Sequence, residues 1–169
     1  ERCEIPVHVV DTTQAGLATG FAAGEAARAR DAGQSGEQVA EVAQQAGQGS
    51  TVLLYVDTLE YLKRGGRIGA AAALIGSALA VKPILTITDG LVAPLEKVRT
   101  SSKALARLVT LASEAAEAAG GEVAIGVQHL VAEQVAQQVA SKLAAALNLE
   151  SVTVDEVGAE VGAHVGPGM

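Results

Sequence analysis

The run Thr-Val-Leu-Leu-Tyr-Val at residues 51–56 constrains the fold most, because it is hydrophobic without polar alternation. A strand that faces solvent on one side alternates apolar and polar residues, whereas a strand covered on both faces is apolar throughout. The run therefore predicts a central strand of an α/β layer. Asp57 follows it, with Glu60 three positions on, which is the pattern that caps a helix N-terminus. We expect a short helix here that ends at the glycine pair 65–66.

Arg67 follows the glycine pair, and this order indicates half of an anion site. A guanidinium binds two oxygens of a carboxylate or phosphate at once, and the N–H groups in the first turn of the next helix attract anions. The same residues are also explained by a helix C-cap made of Gly65 and Gly66 beside a solvated Arg67. Taken alone, that arrangement is the commoner one.

The first third of the chain predicts a strand at Val7–Val10 and a helix over residues 16–32. Ser35 and Gln38 have the spacing of a capping box for a second helix that runs to Gln45. A parallel strand needs neighbouring strands, and none is predicted nearby. We therefore expect residues 1–49 to be the tail of an N-terminal α/β domain with a parallel sheet, and residues 50–169 to form a C-terminal α/β domain.

The C-terminal part predicts a mixed sheet with helices packed against it. It is expected to begin with a helix over residues 69–81 stopped by Pro83, followed by a hairpin that turns at Asp89-Gly90. A helix from Ser101 or Ser102 to about Ala118 and a strand at 122–127 come next. The last elements are a helix with valine and leucine every fourth residue from Val131 to Leu147, and a strand beginning at Val152.

Composition and charge exclude several classes of function. Hydrophobic residues make up 49% of the chain but aromatic residues only 2%, which leaves few rings on which bases could stack. The net charge of −7 provides no basic field for a polyanion, so we expect no nucleic-acid partner. The apolar stretch at 68–81 is shorter than the roughly 20 residues that span a bilayer, so we expect no stable membrane insertion. With Cys3 as the single cysteine, we expect a cytoplasmic protein without a disulfide or a cysteine-based metal site.

Two histidines are candidates for ligand contacts. His164 lies beside the turn 166–168, where glycines let a backbone approach a ligand and an imidazole could donate to an anion. His129 follows a predicted strand at its carboxyl end, the favoured edge for ligands in open α/β sheets. Either histidine could equally be an ordinary turn residue. No serine lies in a Gly-x-Ser-x-Gly elbow and no phosphate loop is present, so we predict no catalytic residues, no metal and no cofactor.

Several segments, in this order and spacing, resemble the DegV family, and the resemblance covers essentially the whole chain. They are Tyr55-Val-Asp-Thr-Leu-Glu-Tyr-Leu-Lys-Arg-Gly-Gly-Arg-Ile68, Val81-Lys-Pro-Ile84, Asp89-Gly90, Pro94-Leu-Glu-Lys-Val-Arg99 and His164-Val-Gly-Pro-Gly168.

The resemblance implies a non-catalytic protein that binds one long-chain fatty acid, with the tail in an apolar tunnel and the carboxylate between two α/β domains. Members of the family carry the fatty acid for a fatty acid kinase, so a kinase catalytic subunit is the implied partner and would supply ATP and Mg²⁺. Arg67 and His164 match family positions near the headgroup. Gly65, Gly66, Gly166 and His129 are the expected supporting residues. The family's N-terminal domain, with its Thr/Ser-bearing loops, is absent from this sequence.

Two other functions remain open at this point. One is a phosphoryl-transfer or hydrolytic domain that uses the same anion pocket, although the sequence offers it no carboxylate cluster or activated nucleophile. The other is an association domain that pairs through open strand edges.

Overall fold

In the computed structural model, which describes residues 5–75 and 81–169, the chain divides into two units, Glu1–Ser50 and Thr51–Met169. Both helices and strands are present, so the predicted α/β class is confirmed. The assignment of the first unit to the tail of an N-terminal domain stays a prediction.

The first unit is a pair of packed helices, α1 (Leu17–Asp31) and α2 (Gly36–Gln48). The predicted capping box is confirmed: the Ser35 side chain accepts from the Gln38 N–H, and the Gln38 side chain accepts from the Ser35 N–H. The strand predicted at Val7–Val10 is not formed. That segment pairs with no strand among the described residues, and Val7 and Val9 are 72% and 91% exposed. A β-strand needs hydrogen bonds to a neighbour, which local sequence does not provide.

The second unit begins with a three-stranded antiparallel sheet in the order β1-β2-β3, made of β1 (Leu53–Tyr55), β2 (Lys82–Thr88) and β3 (Leu91–Val98). Asp89 and Gly90 join β2 to β3 with φ values of 51° and 75°, as the predicted hairpin requires. The prediction that the 51–56 run is a central strand was wrong, because β1 lies at the sheet edge. Its two faces are nevertheless covered by two core clusters, which is why the run is apolar throughout.

A separate parallel pair, β4 (Gly126–His129) and β5 (Thr153–Glu156), is connected by α5 (Glu133–Leu147). The expected mixed sheet is thus divided into an antiparallel sheet and a parallel pair. Helix α4 (Ser101–Ala119) packs on the antiparallel sheet and ends at Gly120 in the left-handed conformation.

Three short elements complete the unit: α3 (Glu60–Arg64), a 3-10 helix (Gly69–Leu74) and α6 (Ala159–Val165). Within the segment 69–81 that was predicted as one helix, residues 69–74 form that 3-10 helix, and residues 76–80 lie outside the described residues. Strand β2 already begins at Lys82, one residue before Pro83. Helix α6 was not predicted at all, and it contains His164.

The larger core cluster joins these short elements to the sheet. Its buried residues are Val56, Leu62, Ala71, Leu74, Leu85, Val157 and Val165. A second cluster of Tyr55, Ile84 and Ala104 lies under α4. Among the helices of the described residues, none has the length and apolarity to cross a membrane.

Candidate functional site

The end of α3 fixes the position of Arg67. Gly66 has a φ of 68°, and the backbone N–H groups of Gly66 and Arg67 donate to the carbonyls of Lys63 and Leu62 at 3.1 and 2.9 Å. These two bonds form a Schellman motif, with glycine in the left-handed position that a side chain would strain. The C-cap expected from the glycine pair is therefore present. It directs the chain so that the guanidinium of Arg67 folds back and donates from Nη1 to the Gly65 carbonyl at 3.1 Å.

The helix that follows Arg67 differs in type and length from the one expected. It is a 3-10 helix of 6 residues without a side-chain cap, and the Ala71 N–H already donates to the Ile68 carbonyl. A longer α-helix would leave more of its first N–H groups free. Anion binding at this helix terminus stays a prediction, and Arg67 is the charged group beside it. It is exposed and forms no ion pair with a carboxylate of the described residues.

His164 lies in the last turn of α6 and packs on Gly65. A Cβ added to Gly65 would lie 2.6 Å from Cε1 and 3.1 Å from Cγ of the imidazole, and closer still to Nδ1. Only a glycine leaves room for the ring there. The Nδ1 atom is buried and has no hydrogen-bond partner. The structure thus brings Arg67 and His164 to the same residue, although they are far apart in the sequence.

The turn after His164 is held on two sides. On one side the Tyr61 ring lies against Gly166, where a Cβ would overlap the ring, and φ is 73°. On the other side the Gly168 N–H donates to the Leu130 carbonyl at 3.0 Å, and the Leu130 N–H donates to the Met169 carbonyl at 3.1 Å. These contacts fix the C-terminal turn between α3 and the end of β4.

Asp57 does not cap α3, contrary to the prediction, because its carboxylate is held elsewhere. It accepts a hydrogen bond from the Tyr55 hydroxyl and another from Lys82 Nζ at 3.3 Å, while the Tyr55 hydroxyl also lies 2.8 Å from Ser101 Oγ. The hydrogen bond from Tyr55, and then that from Lys82, lower the pKa of Asp57 despite partial burial. Burial and the neighbouring carboxylate raise the pKa of the Tyr55 hydroxyl.

The network of Tyr55, Asp57 and Lys82 lies next to the C-terminal turn at residues 166–168. A Cβ added to Gly168 would lie 2.6 Å from Asp57 Oδ2. Sequence reasoning missed Tyr55, Lys82 and Tyr61 as parts of this region. The signal for Tyr55 was available, because residues two apart on an extended chain point to the same side, which places its hydroxyl beside Asp57.

His129 is buried at 8% exposure and is used within its own loop. Its Nδ1 accepts from the Ala132 N–H at 3.4 Å, and its carbonyl accepts from the Val157 N–H at 2.9 Å. Among the described residues, no hydrogen bond joins its ring to Arg67 or His164. His129 precedes Leu130, whose backbone anchors the turn, and its supporting role stays a prediction. No group of three or more metal-ligating side chains is found among residues 5–75 and 81–169.

Charge and exposure describe what this arrangement can do. The permanently charged guanidinium of Arg67 and the partly exposed imidazole of His164 both contact Gly65. The C-terminal turn that follows His164 is fixed by backbone hydrogen bonds. Both side chains are donors suited to the two oxygens of a carboxylate. The region is therefore suited to binding an anionic headgroup.

Comparison with known proteins places these features in a family. The sequence profile of the family described as "Uncharacterised protein, DegV family" matches residues 1–169. A DegV domain-containing protein of Streptomyces coelicolor is 48% identical over 166 residues, covering 98% of this chain and 58% of that protein. The chain thus spans somewhat more than half the length of this relative.

Solved structures of DegV family proteins have a similar fold. A DegV family protein from Thermus thermophilus, whose structure is described as one of fatty acid binding, is 33% identical with a TM-score of 0.81, over 95% of this chain and 57% of that one. DegV from Bacillus subtilis, described as a fatty acid binding protein, is 34% identical with a TM-score of 0.77, over 94% of this chain and 56% of that one.

Proposed function

The chain belongs to the DegV family, and we propose that it supplies the carboxylate-binding part of a site for one long-chain fatty acid, with Arg67 and His164 as the headgroup contacts. The observation that supports this most is their common contact with Gly65, because it brings a fixed positive charge and an imidazole to the same residue. Fatty acid binding by the Thermus and Bacillus relatives supplies the class of ligand.

The acyl chain has an apolar surface next to this charge. Directly after Arg67, the 3-10 helix buries Ala71 and Leu74 in the core and exposes Ala70, Ala72 and Ala73. Each methylene transferred from water contributes about 0.8 kcal/mol, so even partial cover of a long acyl chain adds substantial affinity. In this proposal the acyl chain leaves the headgroup along the exposed alanine face.

The same proposal assigns chemistry on the carboxylate to a partner. As the family implies, the chain presents the headgroup and a fatty acid kinase subunit in the cytoplasm phosphorylates it. The exposed guanidinium of Arg67 is consistent with a headgroup that a second protein can reach.

Substitution of Arg67 tests the proposal in the protein at its full natural length. We expect Arg67→Ala to weaken long-chain fatty acid binding by on the order of tenfold or more, the value of a hydrogen bond to a charged group. Binding is measured by titration with a fluorescent fatty acid, and co-purified lipid is identified by native mass spectrometry with organic extraction.

Arg64→Ala is the matched control. Arg64 lies three residues away, is exposed and pairs with Glu60 at 2.9 Å on the surface of α3, so its loss removes the same charge from a side chain that is directed to Glu60. We expect its affinity to stay within about threefold of the unmodified protein, as for an exposed ion pair. Equal affinities of the two variants would remove Arg67 from the site. No bound lipid, even after incubation with long-chain acids, would contradict the proposed function, and turnover of a phosphoester by the purified protein would favour the enzyme alternative.

A further inference from the structure

Gly65 determines which nitrogen of His164 is available to a ligand. We propose that the packing of Gly65 against Nδ1 favours the tautomer of His164 with its hydrogen on Nε2, so that His164 binds the headgroup as an Nε2–H donor beside the positive charge of Arg67. The identity of the headgroup rests on the proposed function, whereas the tautomer follows from the packing itself. Gly65 is then a positioning residue that acts through His164.

The contact occurs at the Nδ1 corner of the ring. A Cβ on Gly65 would come closer to Nδ1 than to Cε1, at 2.6 Å, or to Cγ, at 3.1 Å. The glycine Cα–H group therefore faces Nδ1 along the ring edge, in the direction in which a hydrogen on Nδ1 would project. No oxygen or nitrogen of the described residues takes that position, because Nδ1 is buried without a hydrogen-bond partner.

Burial without a partner affects the two forms of Nδ1 differently. A hydrogen on Nδ1 would be a buried donor without an acceptor, which loses its hydrogen bond to water and gains nothing in return. An unprotonated Nδ1 is an acceptor, and a Cα–H group is a weak donor to it. The contact therefore favours the unprotonated Nδ1, and in the neutral ring the hydrogen is then on Nε2.

Two amide substitutions separate the nitrogens of His164. The terminal amide of glutamine reaches about as far as Nε2, whereas that of asparagine reaches about as far as Nδ1. In the full-length protein we expect His164→Gln to keep fatty acid affinity within about threefold, and His164→Asn to lose on the order of tenfold, the value of one hydrogen bond. Equal losses in the two variants, or better binding by His164→Asn, would overturn the inference.

The tautomer is also observed directly by long-range ¹H–¹⁵N correlation spectra of the histidine rings near neutral pH. The three histidines are assigned from spectra of the His8→Gln, His129→Gln and His164→Gln variants. We expect the pattern of the Nε2–H tautomer for His164. The pattern of the Nδ1–H tautomer or of the imidazolium would overturn the inference even if fatty acid binds and Arg67→Ala weakens it. Absence of fatty acid binding with an Nε2–H pattern would instead contradict only the proposed function.

Gly65→Ala tests the positioning role. The added methyl overlaps the ring, so the imidazole must move, and we expect a changed His164 ring spectrum together with a loss of affinity on the order of tenfold. Gly121→Ala is the control, since a Cβ there meets nothing within 4 Å. An unchanged His164 spectrum in a folded Gly65→Ala protein would show that Gly65 does not set the tautomer.

Discussion

The sequence around Asp57 predicts a helix cap, but in the fold its carboxylate accepts hydrogen bonds from other side chains. Its place after a strand and before α3 is that of an N-cap, yet α3 has no side-chain cap. A five-residue helix offers few N–H groups to satisfy, whereas the Tyr55 hydroxyl and Lys82 Nζ are both within reach of the carboxylate. Two donors, one of them charged, hold the carboxylate in preference to the cap.

Replacing Asp57 should change how stability depends on pH. Hydrogen bonds from Tyr55 and then Lys82 lower the pKa of Asp57 in the folded protein, so its ionised form stabilises the fold above the unfolded-state value of about 3.9. That contribution is lost as the pH falls through the folded-state pKa. In Asp57→Asn we therefore expect the free energy of unfolding to fall less steeply than in the unmodified protein between neutral pH and about pH 3.

Urea unfolding at a series of pH values measures this slope. Glu122→Gln is the control, since Glu122 is exposed and has no hydrogen-bond partner among the described residues. It should leave the acid slope unchanged. Parallel curves for Asp57→Asn and the unmodified protein would show that the Tyr55–Asp57–Lys82 network does not contribute to acid stability.

At the scale of elements, patterns that act within a few residues could be predicted. The capping box at Ser35 and Gln38, the Asp89-Gly90 hairpin and the end of α4 at Gly120 are each fixed by local hydrogen bonds or by a positive φ. Whatever depends on a distant segment could not be predicted. Whether β1 lies at the centre or the edge of its sheet depends on which strands pair with it.

In the candidate site, too, features set by local sequence could be predicted, and features set by distant segments could not. The Schellman motif at residues 62–67 follows from the glycine pair, so the placement of Arg67 was predictable. The position of His164 was not, because α6 is short and packs on α3 from the opposite end of the unit's sequence. The family resemblance already implied that Arg67 and His164 lie near the same headgroup. The structure adds that both residues contact Gly65.

The N-terminus of α4 gives a prediction for an element. The sequence pattern placed its start at Ser101 or Ser102, and the helix begins at Ser101. Its cap is Thr100, whose side chain accepts from the Lys103 N–H at 3.3 Å. We expect Thr100→Ala to lower the free energy of unfolding by about 1 kcal/mol, as for other N-cap deletions. Ser102→Ala, at an exposed position inside the first turn, should change it by less than about 0.5 kcal/mol. Similar losses in the two variants, measured by urea unfolding, would contradict this cap assignment.

The two units of the whole chain differ in what they bury. Among the described residues of Glu1–Ser50, every buried apolar side chain is an alanine, namely Ala18, Ala22, Ala29 and Ala43. In Thr51–Met169 the core contains large side chains such as Leu62, Ile84 and Leu85, which are 1%, 0% and 0% exposed. Burying a leucine contributes about 1.5–3 kcal/mol and a methyl group much less, so the second unit has the more stabilising core.

This difference predicts that the units behave unequally when separated. We expect the fragment 51–169 to unfold cooperatively in urea, because both of its core clusters are built from residues within it. The fragment 1–50 should be far less helical by circular dichroism than its two packed helices in the structure, since short helices without large buried side chains are marginal in water. Leu85→Ala should lower the free energy of unfolding of the fragment 51–169 by about 2–5 kcal/mol and that of the whole chain by a similar amount.

A fragment 51–169 that is unfolded in the absence of denaturant would show that this core needs the first unit. If the isolated fragment 1–50 is as helical as it is in the structure, its alanine packing is sufficient to hold the two helices together.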